Sequence, residues 1–276
     1  FLTEWVVAIT SRLTPNARDG RFGPATPRKA RCGFMTDDAA QGAVVLLPGS
    51  GSTPEFVRRA FSDVARPAPS GDLPSRTVVV DSRSGDPFLM ADRLATTAAE
   101  LTANGTSITT VCGVSIGAHA IAIWAAESGV RDCPLLLVMP AWTEDPGPVG
   151  AATLHAAHRI QAHGIAEDLR QLRLAYPQDW VVDELERAWP LFTEAELAAA
   201  FTRTAAAPGP GHARLASIRC PTAVVGLRDD PMHPAEVAAT WAAAIPGATL
   251  VELDRQSPTG DAAVLGRAGL TALSGS

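Results

Sequence analysis

The sequence predicts an α/β chain: a mostly parallel central sheet with helices on both faces, interrupted by one inserted block of helices. Three observations carry this reading. Short continuous apolar runs, too brief for helices, recur from residue 43 to residue 253 and alternate with segments of helical periodicity. The alternation stops between residues 141 and 215, where only helical patterns occur. A serine flanked by glycines, Gly113-Val114-Ser115-Ile116-Gly117, stands where one apolar run meets a helix.

The chain of 276 residues, 46% of them hydrophobic, can bury one large core with room for an inserted subdomain. Against 23 Lys and Arg stand 29 Asp and Glu, a net charge of −6 without a basic run to track phosphates, so no nucleic-acid partner is expected. Cys32, Cys112, Cys133 and Cys220 are widely spaced, and Cys112 and Cys220 fall in or beside apolar runs. They read as small core residues of a protein in a reducing, cytoplasmic compartment. Residues 1–9 are apolar but carry no basic leader and are too short to span a bilayer, so no membrane partner is expected. The absence of an initiator Met leaves the natural N-terminus open, and nothing in the sequence fixes the oligomeric state.

Taken in order, residues 1–30 hold Pro15, Gly20, Gly23, Pro24 and Pro27 and read as an irregular lead-in. A first strand is expected near residues 31–36. The run Ala43-Val44-Val45-Leu46-Leu47 is a strand covered on both faces, stopped by Pro48-Gly49-Ser50-Gly51-Ser52. Thr53-Pro54-Glu55 then supplies a capping hydroxyl, a first-turn proline and an acid near the helix dipole. Thr77-Val78-Val79-Val80 is the next strand, and Phe88, Ala91, Leu94, Ala98 and Leu101 repeat at helical spacing until Asn104-Gly105. The strand with Ile108, Val111, Cys112 and Val114 leads into the serine, and the strong helix formers from Ala118 onward follow it. Leu135-Leu136-Leu137-Val138-Met139 is another buried strand. Such alternation requires right-handed crossovers and a mostly parallel sheet.

In the helical block, Val149, Ala152, Ala156 and Ile160 share one face, and residues 165–176, 179–189 and 193–206 look like further short helices. The block carries Trp142, Tyr176, Trp180, Trp189, Phe192 and Phe201, six of only 15 aromatics; most serve to pack the helices, and one or two are expected to face a pocket beneath. His155, His158 and His163 lack a nearby acidic ligand pattern and read as solvated helix faces, so no metal is expected. The sheet resumes with Pro221–Gly226, followed by Asp229-Asp230-Pro231-Met232-His233-Pro234, a helix to about Ala244, a strand over residues 249–253 and a helix over residues 259–273.

The chemistry centres on Ser115. A turn from strand to helix this sharp leaves no room for side chains two residues either side, which the glycines provide. The helix behind the serine points free N–H groups at it, favourable for developing negative charge. The Pro48–Ser52 loop lacks the lysine of a P-loop, and Pro54 stands where a dinucleotide fingerprint needs a third glycine. Two readings are left, a flexible turn or a loop whose Ser50 N–H helps hold an oxyanion, and the serine motif downstream favours the second.

Over roughly residues 31–273 the chain resembles the α/β-hydrolase superfamily. The resemblance rests on Leu46-Leu47-Pro48-Gly49-Ser50-Gly51, on the nucleophile elbow Gly113–Gly117 and on Gly226 through Asp230-Pro231-Met232-His233-Pro234. It implies a core of residues 31–140 and 216–276 with a helical cap over residues 141–215. It also implies Ser115 as nucleophile, Asp230 as the acid orienting a histidine, and the N–H groups of Ser50 and Ile116 as oxyanion donors. The departure is the base. Where the superfamily carries a late histidine this chain reads Asp254-Arg255-Gln256-Ser257-Pro258, and no histidine follows His233. Gln256 cannot act as a general base. Either His233 serves as a relocated base, or Gln256 marks altered chemistry, or the final loop is placed otherwise; His119, four residues past Ser115, is a further candidate.

The expected activity is therefore a cofactor-free serine hydrolase acting on an ester, thioester or lactone carbonyl of a small, partly apolar substrate, with Trp142 and Gln256 lining its pocket. The alternative is a degenerate relative that binds a small ligand or runs a non-hydrolytic step such as acyl transfer or elimination.

Overall fold

The computed structural model describes residues 42–66 and 76–275. The lead-in of residues 1–30, the strand expected near residues 31–36 and Cys32 lie outside the described residues. In chain order the elements are β1 (Ala43–Leu47), α1 (Pro54–Ala60), β2 (Arg76–Val79), α2 (Pro87–Ala103), β3 (Ile108–Val114), α3 (Ile116–Ser128) and β4 (Leu135–Val138). Five helices follow without a strand: α4 (Gly147–His163), α5 (Ile165–Ala175), α6 (Trp180–Ala188), α7 (Glu194–Ala206) and α8 (Gly211–Ser217), with a 3₁₀ turn at Trp189–Leu191. Then come β5 (Thr222–Arg228), α9 (Ala235–Ala244), β6 (Thr249–Asp254) and α10 (Val264–Ser274).

The described strands form one sheet in the order β2-β1-β3-β4-β5-β6, every pairing parallel. The continuous apolar runs have the cause anticipated for them, because successive residues serve opposite faces. Val45, Leu47, Val111, Leu135, Leu137 and Val224 join a core that includes Leu94 of α2, Ile121 of α3 and Trp241 of α9. Their neighbours Val44, Leu46, Cys112, Val114, Leu136 and Val225 join the opposite core with Phe56 and Val57 of α1 and Leu265 of α10. Each such fully buried side chain contributes roughly 1.5–3 kcal/mol relative to exposure. The sheet order reverses direction at β1, so β1 and β3 lie side by side and their C-terminal ends bring residues 48–51 next to Ser115.

The helix start expected at Thr53 is present, its Oγ1 accepting from Phe56 N at 3.1 Å. The last helix begins later than the sequence pattern suggested. Residues 255–263 form successive turns, with Gly260 at φ 76 and Asp261 Oδ1 accepting from Ala263 N, and α10 starts only at Val264. Among the described residues no helix is long and apolar enough to cross a membrane.

Candidate active site

Ser115 terminates β3 at φ 56, ψ −124, a conformation that glycine ordinarily supplies at the first central position of a type II′ turn. Its N–H donates to Val138 O at 2.9 Å and its carbonyl accepts from Ala118 N at 2.8 Å, tying the elbow to β4 on one side and α3 on the other. The flanking glycines are steric requirements. A Cβ on Gly113 would lie 2.6 Å from Ile121 Cδ1 and 2.7 Å from the Gly117 carbonyl carbon; one on Gly117 would lie 2.3 Å from Leu47 O. The loop after β1 leans on the serine as well, since a Cβ on Gly49 would sit 3.2 Å from Ser115 Cβ. Among the described residues, neither Ser50 N–H nor Ile116 N–H has a hydrogen-bond acceptor.

His233 Nε2 lies 2.9 Å from Ser115 Oγ. The histidine arrives from the loop after β5, where Asp229 takes a left-handed φ of 61 and Asp230 turns inward, 5% exposed. Asp230 Oδ1 accepts from Met232 N and His233 N, each at 2.9 Å, and this turn fixes the backbone from which the imidazole projects. His233 Nδ1 lies 3.3 Å from the same oxygen, and the shared turn holds the ring beside it. Burial pushes the Asp230 carboxyl up, but His233, Arg255 and the Met232 N–H together bring it below its ordinary value, so the acid is ionised. With its proton on Nδ1, the ring offers the Nε2 lone pair to the serine hydroxyl.

Gln256 does not take the place assigned to it. It is exposed, and its Oε1 accepts from Thr259 Oγ1 at 3.0 Å. The residue of that loop which reaches the acid is Arg255, unforeseen by the sequence reading. Its Nη1 donates to Asp230 Oδ2 at 2.7 Å and its Nη2 to Asp179 Oδ2 at 2.6 Å. The available signal was that Arg255 is the cation in the segment Asp254–Pro258, adjacent to the residue singled out.

Trp142, expected at the pocket, turns its ring onto His119. It is 4% exposed and packs edge-on against His119, ring centroids 4.9 Å apart. His119 is fully buried between Trp142 and Trp241, and its Nε2 accepts from Ala141 N at 3.1 Å. Burial first, and then the charge of His233, pushes its pKa down to about 3. A ring already accepting a backbone N–H in the core is a packing element and is spent as a base for Ser115. The aromatics that do approach the loop after β1 are Trp189 and Phe201: a Cβ on Gly51 would meet Phe201 Cε1 at 2.8 Å and Trp189 Nε1 at 3.1 Å. Among the described residues no group of three or more His, Cys, Asp or Glu could hold a metal ion.

No protein-family model matches this sequence, and no curated protein sequence does. Solved structures do match. An esterase from Thermogutta terrifontis is 17% identical over 82% of this chain and 88% of its own, with a TM-score of 0.60. The enol-lactonase from Burkholderia xenovorans LB400 is 14% identical over 86% and 92%, TM-score 0.65. An esterase from Exiguobacterium antarcticum is 14% identical over 79% and 85%, TM-score 0.58.

Proposed function

On the premise that the chain has the α/β-hydrolase fold, we propose that it is a serine hydrolase acting on an ester, thioester or lactone carbonyl, with Ser115 as nucleophile, His233 as general base and Asp230 as the acid that orients it. The observation that carries this is the 2.9 Å contact between His233 Nε2 and Ser115 Oγ at a strained strand-to-helix turn. A base at His233 supplies what the missing late histidine leaves out, which favours hydrolysis over the reading of the chain as a degenerate relative.

The reaction follows from the geometry. Ser115 Oγ bonds to the carbonyl carbon as its proton passes to His233 Nε2, and the carbonyl π pair moves onto oxygen. That oxyanion faces the unengaged N–H groups of Ser50 and Ile116 and the N-terminus of α3, donors fixed before the charge appears. Collapse expels the alcohol or thiol, which takes the proton from His233. Water then attacks the acyl-serine, giving a proton to His233, and collapse of this second intermediate breaks the bond between Ser115 Oγ and the acyl carbon, Ser115 Oγ taking the proton back from His233 as the acid leaves. Asp230 remains ionised and stabilises the imidazolium. Trp189 and Phe201, set against Gly51, are the aromatics placed to bound the acyl group.

The test is covalent capture. A fluorophosphonate should label the folded protein, peptide mass mapping should place the adduct on Ser115, and Ser115→Ala should abolish it. Labelling absent from the wild-type chain across a panel of phosphonates, or mapped elsewhere, refutes the assignment.

A further inference from the structure

Asp230 is not paired with His233 alone. Its second carboxylate oxygen is held by Arg255, and the other arm of that guanidinium holds Asp179, the N-cap of α6 in the helical insertion. We propose that Arg255 and Asp179 are positioning residues of the Ser115–His233 pair, a buried charge relay through which the insertion sets the orientation and the effective charge of the acid. The inference rests on the serine-hydrolase reading above.

Three observations support it. The first is burial: the Asp230 and Asp179 side chains are 2% and 9% exposed and Arg255 21%, so the guanidinium is the partner that makes both carboxylates tolerable away from water. A flat fork can serve two carboxylates at once; a single ammonium cannot do so with the same geometry. The second is that Arg255 is held at both ends by consecutive insertion residues. Asp179 takes its side chain, and Trp180 Nε1 donates to its backbone carbonyl at 2.7 Å. A shift at the start of α6 therefore reaches Asp230 through Arg255, whereas the loop carrying His233 fixes only Asp230 Oδ1.

The third is the charge count. A lone arginine on Asp230 would cancel the negative charge that the imidazolium needs during acylation. Asp179 returns it: two carboxylates and one guanidinium leave the cluster at −1, and protonation of His233 brings the set to zero. Without Asp179 the same proton transfer would leave a net positive charge in a largely buried cluster, which disfavours it. Asp179 thus acts on the base without touching it. The loop after β6, which supplies no histidine, contributes a cation that clamps the acid instead.

Steady-state hydrolysis of a p-nitrophenyl ester by the full chain tests this, alongside His233→Ala. Arg255→Met should lower kcat by about 10²-fold, the scale of an ångström-sized misplacement of a reacting group, with KM nearly unchanged; Arg255→Lys should recover part of the loss. Asp179→Asn should also lower kcat. Asparagine caps a helix as well as aspartate, so this variant keeps α6 and decides the matter if Arg255→Met does not fold. The Asp179→Asn, Arg255→Met double variant should be no slower than Arg255→Met alone, because the two act as one unit. If His233→Ala is inactive while Arg255→Met and Asp179→Asn turn over like the wild type, the relay is overturned and the hydrolase reading stands. Losses that multiply in the double variant, or that fall on KM, also overturn it. A wild-type chain that neither turns over nor takes a phosphonate overturns both.

Discussion

Ser115 holds a backbone conformation that costs free energy, and the cost can be measured by removing the side chain in two ways. At φ 56, ψ −124 a residue with a Cβ occupies a region that glycine enters freely. Such a residue costs about 1–3 kcal/mol. Both Ser115→Ala and Ser115→Gly lose the hydroxyl and its contact with His233, so their comparison isolates the Cβ. Glycine gives up about 0.5–1 kcal/mol through the greater freedom of its unfolded chain. The difference leaves Ser115→Gly more stable than Ser115→Ala by about 1 kcal/mol or somewhat more. In a chain of this size that is a Tm higher by about 2–4 °C. Thermal unfolding followed by circular dichroism reads the difference. A Ser115→Gly protein melting at or below Ser115→Ala would refute the claim that the elbow stores strain at its nucleophile.

The remaining predictions concern the buried histidine and the aromatics. His119 has its pKa depressed from 6.5 to about 3 in the fold, so its stabilisation is full above pH 6.5 and is lost as pH falls from there towards 3, at up to about 1.4 kcal/mol per pH unit. Glutamine can still accept the Ala141 N–H, so His119→Gln should flatten that slope in urea unfolding, and an unchanged pH dependence would contradict the buried neutral ring. Trp142→Phe should lower Tm and leave the preference between short and long acyl esters unaltered, because the indole packs on His119. Phe201→Leu should shift that preference in kcat/KM, because Phe201 lies against Gly51; the opposite pattern would restore Trp142 to the pocket.

The strands were legible because the sheet is covered on both faces: Val44, Val45, Leu46 and Leu47 are all buried, so no polar residue breaks the run. The elbow was legible for a steric reason, since Gly113 and Gly117 are positions where a Cβ would strike the protein. What escaped was direction. Trp142 follows β4 directly, but nothing in the order Pro140-Ala141-Trp142 says that the ring turns under the sheet onto His119. Arg255 and Gln256 are neighbours in a turn, and which of them points inward is decided by Asp179 and Trp180, 76 and 75 residues away in sequence. The late start of α10 was signalled by Pro258, Gly260 and Asp261, turn and capping residues that apolar periodicity overrode.

The most direct measurement is the rate at which a fluorophosphonate phosphonylates Ser115, with loss of fluoride, in the wild type, His233→Ala and Gln256→His. Loss of a general base costs about 10²–10⁴-fold, and His233→Ala should slow labelling by that much with its fold intact. Gln256→His should label at the wild-type rate, since residue 256 faces solvent. A His233→Ala protein labelled as fast as the wild type, or a Gln256→His protein labelled much faster, would contradict the assignment of His233 as the base.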